Sequence, residues 1–288
     1  MIRPPLPRWL ALPATAAAIF LAVPLLAMLV RVPWSGLPRL LTTPAAVDAL
    51  WLSLRTCTLT TLLCLVLGLP LALALSRARG RWAAWGRVLA TVPMVLPPVV
   101  AGLALLVALS RRSLLGGWLS SIGIDLAFTT TAVVIAQTFV AMPYLVVSVE
   151  GALRSAHDDH AVVAATLGAS PSTVLGRVTL PLVAPAIASG AALSFARALG
   201  EFGATLTFAG SLQGTTRTLP LEIYLQRELD TDTAIALSVV LIALAGALVA
   251  VTARLSRGAA LEDAPSANHG SAGGPGRSRR FAGGRWLP

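Results

Sequence analysis

Six apolar runs, each long enough to cross a bilayer, dictate what this chain can fold into: Trp9 to Val30, Leu50 to Leu75, Val88 to Leu109, Thr130 to Val149, Leu180 to Leu199 and Ala234 to Ala253. A helix needs about 20 apolar residues to span the hydrocarbon core. Backbone polar groups in lipid must find partners within the segment, so each run is predicted to be helical. Only 12% of the 288 residues are charged, against roughly 25% in soluble domains. The expected class is an all-α integral membrane protein with six transmembrane helices. Prolines 24, 70, 93, 97, 98, 143 and 185 fall inside the runs. Neighbouring helices can satisfy the carbonyls that proline frees. The Pro97-Pro98 pair is predicted to kink or interrupt the third run. Arg3 and Arg8 precede the first run as in a signal peptide. That run exceeds the roughly 7–15 apolar residues of such a segment and no small-x-small site follows, so a retained helix is expected.

All 22 basic residues are arginine. Without lysine there is no phosphate-binding loop of the Gly-x-x-x-x-Gly-Lys-Ser/Thr kind and no Schiff-base lysine. A GC-rich genome would explain the bias, and the exclusion holds regardless. If the protein uses ATP, the nucleotide sits on another chain. The net charge of +10 fits arginines that hold cytoplasmic loops beside anionic lipid better than it fits a nucleic-acid partner. With the N-terminus inside, inner segments hold 14 arginines and outer segments 6; without the four of the far tail, 10 still face 6. A multi-pass cell-membrane protein with both termini cytoplasmic is therefore expected. Cys57 and Cys64 share one run and read as small buried residues, too far apart along a helix for a disulfide. Residues 258–288 are rich in Gly, Ser, Ala and Pro, a composition expected to be disordered. No cofactor and no metal site is expected.

On the cytoplasmic side, residues 155–181 read SAHDDHAVVAATLGASPSTVLGRVTLP. Ser155 and Asp158 have capping-box spacing, so a helix is predicted to start there and to end at Gly168, a residue suited to a left-handed C′ position. Ser170 as N-cap and Pro171 at N1 start a second helix. Small residues at Ala164, Ala165 and Gly168 permit close approach by another surface; an interfacial helix pair lying on the membrane is the alternative. His157 and His160, beside Asp158 and Asp159, have a spacing that could hold a metal, but solvated helix-start residues account for them better. No serine lies in a nucleophile-elbow context, and no enzymatic activity is expected.

This segment resembles the EAA loop of ABC importer permeases: Glu-Ala-Ala, three residues, Gly, nine residues, Ile-x-Leu-Pro. Ala164 matches the second alanine and Gly168 the glycine, followed by Val178, Leu180 and Pro181; Val162 and Val163 replace the glutamate and first alanine. The resemblance implies that Val162, Val163, Ala164, Ala165, Thr166, Leu167, Gly168 and Ala169, with Pro181, form a coupling helix and its bend, docked in a groove of an ATPase subunit.

Beyond the fifth run, residues 195–210 read FARALGEFGATLTFAG. Arg197 and Glu201 are four apart and can pair; ionisable groups at membrane depth usually face a bundle interior or water. A structural ion pair and a constriction on a transport route both fit. The run resembles the molybdate and sulfate branch of type I ABC permeases, with its Ala-Arg-x-Leu/Val-Gly-Glu-Phe/Tyr-Gly, and the following GTTRTLPLEIYLQRELD is most similar to the molybdate members. The likeness covers about residues 45–255, flanked by an N-terminal part, 1–44, and a cytoplasmic tail, 256–288. It implies the type I permease (MetI-like) fold and a homodimer with two ABC ATPase subunits. It also implies an extracytoplasmic molybdate-binding protein and ATP-driven import of an oxyanion, with sulfate, thiosulfate or tungstate as alternative cargoes. It implies a pathway or gate at Arg197, Gly200, Glu201, Phe202, Gly203 and Thr205, and Arg217 could help dock the binding protein. Secondary transport is the more distant alternative; such folds often carry inverted repeats with matched interrupted segments, and only the proline-rich third run is interrupted here.

Overall fold

A computed structural model describes residues 7–155 and 159–262, and all regular structure among them is helical. Helices α1 (Ala11–Arg31), α2 (Leu37–Leu41), α3 (Pro44–Leu63) and α4 (Leu69–Arg77) are followed by α5 (Gly80–Val95), α6 (Pro98–Leu109) and α7 (Leu114–Ser121). Then come α8 (Thr130–Ser155), α9 (Asp159–Thr166), α10 (Pro171–Val174), α11 (Leu180–Leu199), α12 (Gly203–Ala209), α13 (Leu219–Leu229) and α14 (Thr231–Glu262). Five stretches are long and apolar enough to cross a membrane: α1, α3 with α4, α8, α10 with α11, and Thr231–Ala250 of α14. A sixth arises if α5 and α6 form one broken span.

Two spans extend beyond the apolar runs, mainly at their N-terminal ends, and each continues through a proline. A π-helical turn at Cys64–Gly68 joins α3 to α4, and another at Leu175–Thr179 joins α10 to α11. Pro70 and Pro181 follow these turns directly. Proline removes an i→i−4 donor, and a single wide turn inside an otherwise α-helical segment accommodates the lost bond. The second helix of the cytoplasmic segment is thus the first turn of the fifth span.

The Pro97-Pro98 pair has a larger effect. Leu96 and Pro97 are extended, Pro98 starts α6, and the axes of α5 and α6 differ by 116°. The third run is therefore two helices at a sharp angle. Pro98 supplies the preset N1 φ and its missing N–H costs nothing there, while the residue before a proline is biased to extended backbone.

Helix α8 is the central post: 67% of its apolar window is buried, against none for α1. It packs against α3, α4, α5, α11 and α12. Small residues set these approaches, as expected where lipid offers no hydrophobic drive and packing must do the work. A Cβ on Gly190 of α11 would lie 3.1 Å from both Leu145 and Ser148 of α8. Ser194 donates to the Ala141 carbonyl (3.0 Å) and Ser148 to that of Ala186 (3.1 Å). Cys57 and Cys64 are free and fully buried.

Helices α6 and α12 approach each other closely. A Cβ on Gly102 would stand 2.7 Å from the Ala204 carbonyl oxygen, and one on Gly203 would stand 2.8 Å from Cβ of Pro98. Backbone cannot yield as a side chain can. Gly102→Val is expected to cost about 1–3 kcal/mol as overpacking, seen as a lower thermal unfolding midpoint in detergent. Gly246→Ala, where nothing lies within 4 Å, is the matched control and should leave the midpoint unchanged.

Helix α14 extends through Glu262, and the remainder of the tail lies outside the described residues. So do His157 and Asp158, and with them the capping box. Ser155 does not start a helix. Its hydroxyl donates to the Gly151 carbonyl (2.9 Å) as part of the last turn of α8, and the next helix starts at Asp159. Among the described residues no group of three His, Cys, Asp or Glu could hold a metal ion.

Candidate functional site

Helix α9 closes on a left-handed glycine. Gly168 has φ +86°, its N–H donates to the Ala165 carbonyl (3.0 Å), and the Ala169 N–H donates to that of Ala164 (3.1 Å). That is the paired geometry of a Schellman cap. Ser170 then caps α10, its hydroxyl accepting from the Thr173 N–H (3.3 Å), with Pro171 next. Val162, Val163 and Leu167 are exposed, Leu167 at 83%. Ala165, Thr166 and Gly168 are exposed too, with Ala164 and Ala169 partly covered. Nothing lies within 4 Å of a Cβ placed on Gly168. Among the described residues, helix α9 packs on α10 and the π turn after it. Among the described residues nothing covers these three apolar side chains. Pro181 sits in the first turn of α11, exposed.

The second constellation lies at the far end of α11. That helix stops at Leu199, Gly200 is its C-cap, and α12 begins at Gly203. The carboxylate of Glu201, 1% exposed, bridges the break. Its Oε1 accepts the Ala204 N–H at 2.7 Å, and its Oε2 meets Arg197 Nη1 at 2.6 Å. One oxygen thus caps α12 while the other holds the guanidinium of the last turn of α11. Thr205 is fully buried beside this cap, and Thr207 donates to the Gly203 carbonyl (2.8 Å). The Phe202 ring packs on Tyr224 of α13, centroids 5.1 Å apart. Both rings line a cavity of about 420 Å³, with Arg227 and residues of α14 on its other walls. Arg197, Gly200, Glu201, Phe202, Gly203 and Thr205 therefore form one continuous unit, and α9 with its bend forms another.

The break is held from behind by a residue that periodicity did not single out. Gln137 of α8, 1% exposed, donates to the Ala198 carbonyl (3.3 Å) and accepts from Thr60 of α3 (3.1 Å). A lone glutamine in an apolar run was its one visible signal. Buried amides in lipid need such partners.

Arg217 is not free for docking. It donates to the Ser211 hydroxyl (3.1 Å) and carbonyl (3.2 Å) and meets Glu222 at 3.4 Å. Glu222 is 1% exposed and also accepts from Gln226 (2.7 Å). The arginine shapes the loop that turns α12 into α13. Arg111 is likewise engaged, bidentate to Asp125 at 2.7 Å, and its hydrogen bonds hold the Asp125 carboxyl below the usual range.

Glu150 lies just past the fourth apolar run, where no motif or periodicity marks it. It is 9% exposed and meets Arg87 of α5 at 2.5 Å and Arg154 at 3.6 Å.

Residues 65–256 match the family described as the inner membrane component of binding-protein-dependent transport systems. The chain is 57% identical over 244 residues to the molybdenum transport system permease protein ModB of Mycobacterium tuberculosis, covering 85% of this chain and 92% of that one. It is 31% identical over 229 residues to the sulfate transport system permease protein CysT of Escherichia coli, covering 78% and 83%. Among solved structures, a bacterial ABC transporter involved in the import of the acidic polysaccharide alginate superposes with a TM-score of 0.69. That match has 18% identity over 86% of this chain and 93% of the other, so it speaks for the fold alone.

Proposed function

Because this chain belongs to the inner membrane components of binding-protein-dependent transport systems, we propose that it is the membrane-spanning permease subunit of an ATP-driven importer that moves molybdate into the cytoplasm. The observation that carries the cargo is the 57% identity to ModB over nearly the whole of both chains. The assignment to a permease subunit, rather than an enzyme, agrees with the names of these relatives. The working assembly is a homodimer of this subunit with two ABC ATPase subunits and an extracytoplasmic molybdate-binding protein, and both termini lie in the cytoplasm.

In this reading α9 is the coupling helix. Val162, Val163 and Leu167 seat in an apolar groove of the ATPase, and the Gly168 turn fixes the angle at which α10 and α11 leave it. Valine in place of the EAA glutamate makes that contact apolar rather than ionic. ATP-driven closure of the ATPases displaces α9, and the difference in contact energy between the two ATPase states biases the membrane helices between inward- and outward-facing forms. The Arg197–Glu201 break and Phe202 form the constriction. The anion passes without tight ligation, because strong binding there would slow release.

The test is reconstitution of the complete assembly in liposomes. Uptake of molybdate that requires ATP and persists with a protonophore is the expected result. Uptake driven by an ion gradient through this chain alone would overturn the reading in favour of secondary transport. Competition with tungstate and sulfate reads selectivity; the similarity to CysT makes sulfate the informative competitor, and molybdate is expected to outcompete it.

A further inference from the structure

The Arg87–Glu150 pair occupies a particular mechanical position. Glu150 is the sole acidic residue between Asp125 and Asp158, and residues 49–124 contain none. It lies in the last turns of α8, the helix that leads through residues 156–158 to α9. Its partner Arg87 lies on α5. Arg87 Nε contacts Glu150 Oε1 at 2.5 Å while Nη2 donates to the Leu75 carbonyl near the end of α4 (2.8 Å). One guanidinium therefore ties three helices at one end of the bundle. Packing reinforces the tie: a Cβ on Gly86 would come within 2.8 Å of Leu75, so α5 lies directly against α4.

Helix α5 is also the first half of the broken span. At Leu96–Pro97 it turns by 116° into α6. Helix α6 meets α12 backbone to side chain with no intervening layer, through Gly102 and Gly203. A displacement of the α8 end has a short physical route to the break at residues 200–203: ion pair, rigid α5, proline hinge, α6, α12. The pair is directional and partly covered, with side-chain exposures of 31% and 11%, so it fixes the register of α5 on α8 where the surrounding Ala and Leu contacts do not.

We propose that the Arg87–Glu150 pair is the joint that makes the broken span α5–α6 follow movement of the α9 end of α8, while α11 carries the direct connection from α9 to the break at residues 200–203. Both are positioning residues; neither touches the anion. The inference rests on the proposed transporter reading and names the contact that ties its broken span to α8.

The test compares uptake and ATP hydrolysis in the same liposomes, using the full assembly with its binding protein. Glu150→Gln and Arg87→Met are each expected to reduce molybdate uptake at least tenfold while ATPase turnover stays within about twofold and the ATPase subunits still co-purify. The double variant Arg87→Met/Glu150→Leu keeps the volume apolar, and such replacements of buried pairs often preserve stability. It too should be stable and uncoupled, which keeps the test valid if a single variant fails to fold. Uptake and hydrolysis falling together, or normal uptake in the double variant, would overturn the joint. Wild-type uptake that ignores ATP would overturn the transporter reading and the joint with it.

Discussion

Gly168→Val should leave the membrane bundle folded and abolish molybdate uptake by the reconstituted assembly. The argument is local. At φ +86° a β-branched residue is strained by about 1–2 kcal/mol, and the Schellman cap that Gly168 N–H and Ala169 N–H make would open. That strain falls on α9, which has little packing of its own, and no described residue lies within 4 Å of the added Cβ. The bundle loses no contact, so its unfolding midpoint in detergent should move little. What is lost is the angle between α9 and α10, and with it the presentation of Val162, Val163 and Leu167. Asparagine tolerates left-handed backbone better than other side chains. Gly168→Asn should therefore retain more uptake than valine if the turn is what matters, and as little as valine if an ATPase surface presses on the position itself. Co-purification of the ATPase subunits separates the two. Normal uptake with valine would remove α9 from the coupling role.

The readable and unreadable parts of this fold divide along physical lines. The turn at Gly168 and the N-cap at Ser170 were legible because they depend on residues within a few positions of each other. The spans were legible because lipid enforces one solution over twenty residues. The N-terminal extents of two spans were not, because residues 44–49 and 171–179 are less apolar than the runs they continue, and the π turns that carry the helices on leave no local sequence signal. The 116° turn after α5 was foreseen as a kink but not in size, since its angle is set by α6 lying on α12. At the break between α11 and α12, the Arg197–Glu201 pair could be read from i,i+4 spacing. Its other half could not: Glu201 capping α12 requires that α12 exist, and residues 203–209 are too short to declare a helix. Arg217 misled for the same reason. Its partners Ser211 and Glu222 are close in sequence, but the charge count that placed it on the outer side says nothing of side-chain direction. Gln137, Arg87 and Glu150 hold distant helices together, and the clue to each was a single polar residue where an apolar one would do.

Removing Arg197 should be more damaging than removing both members of its pair. Glu201 is 1% exposed. With Arg197→Leu its carboxylate keeps the Ala204 N–H and loses its charge partner. Breaking a buried pair from one side costs about 3–5 kcal/mol, because an uncompensated charge remains, and at membrane depth such a charge is expensive. The double variant Arg197→Leu/Glu201→Gln removes that charge. Its amide oxygen can still accept from Ala204, so most of the lost stability should return, measured as the unfolding midpoint of the purified subunit in detergent. Uptake separates the two roles open to the pair. A pair that only neutralises itself would let transport recover together with stability. As part of the constriction, Arg197 is the cation nearest the break in α11, and the double variant is expected to fold well yet import molybdate at least tenfold more slowly than wild type. Full recovery of uptake would reduce the pair to a structural clasp and move the constriction to Phe202 and Tyr224.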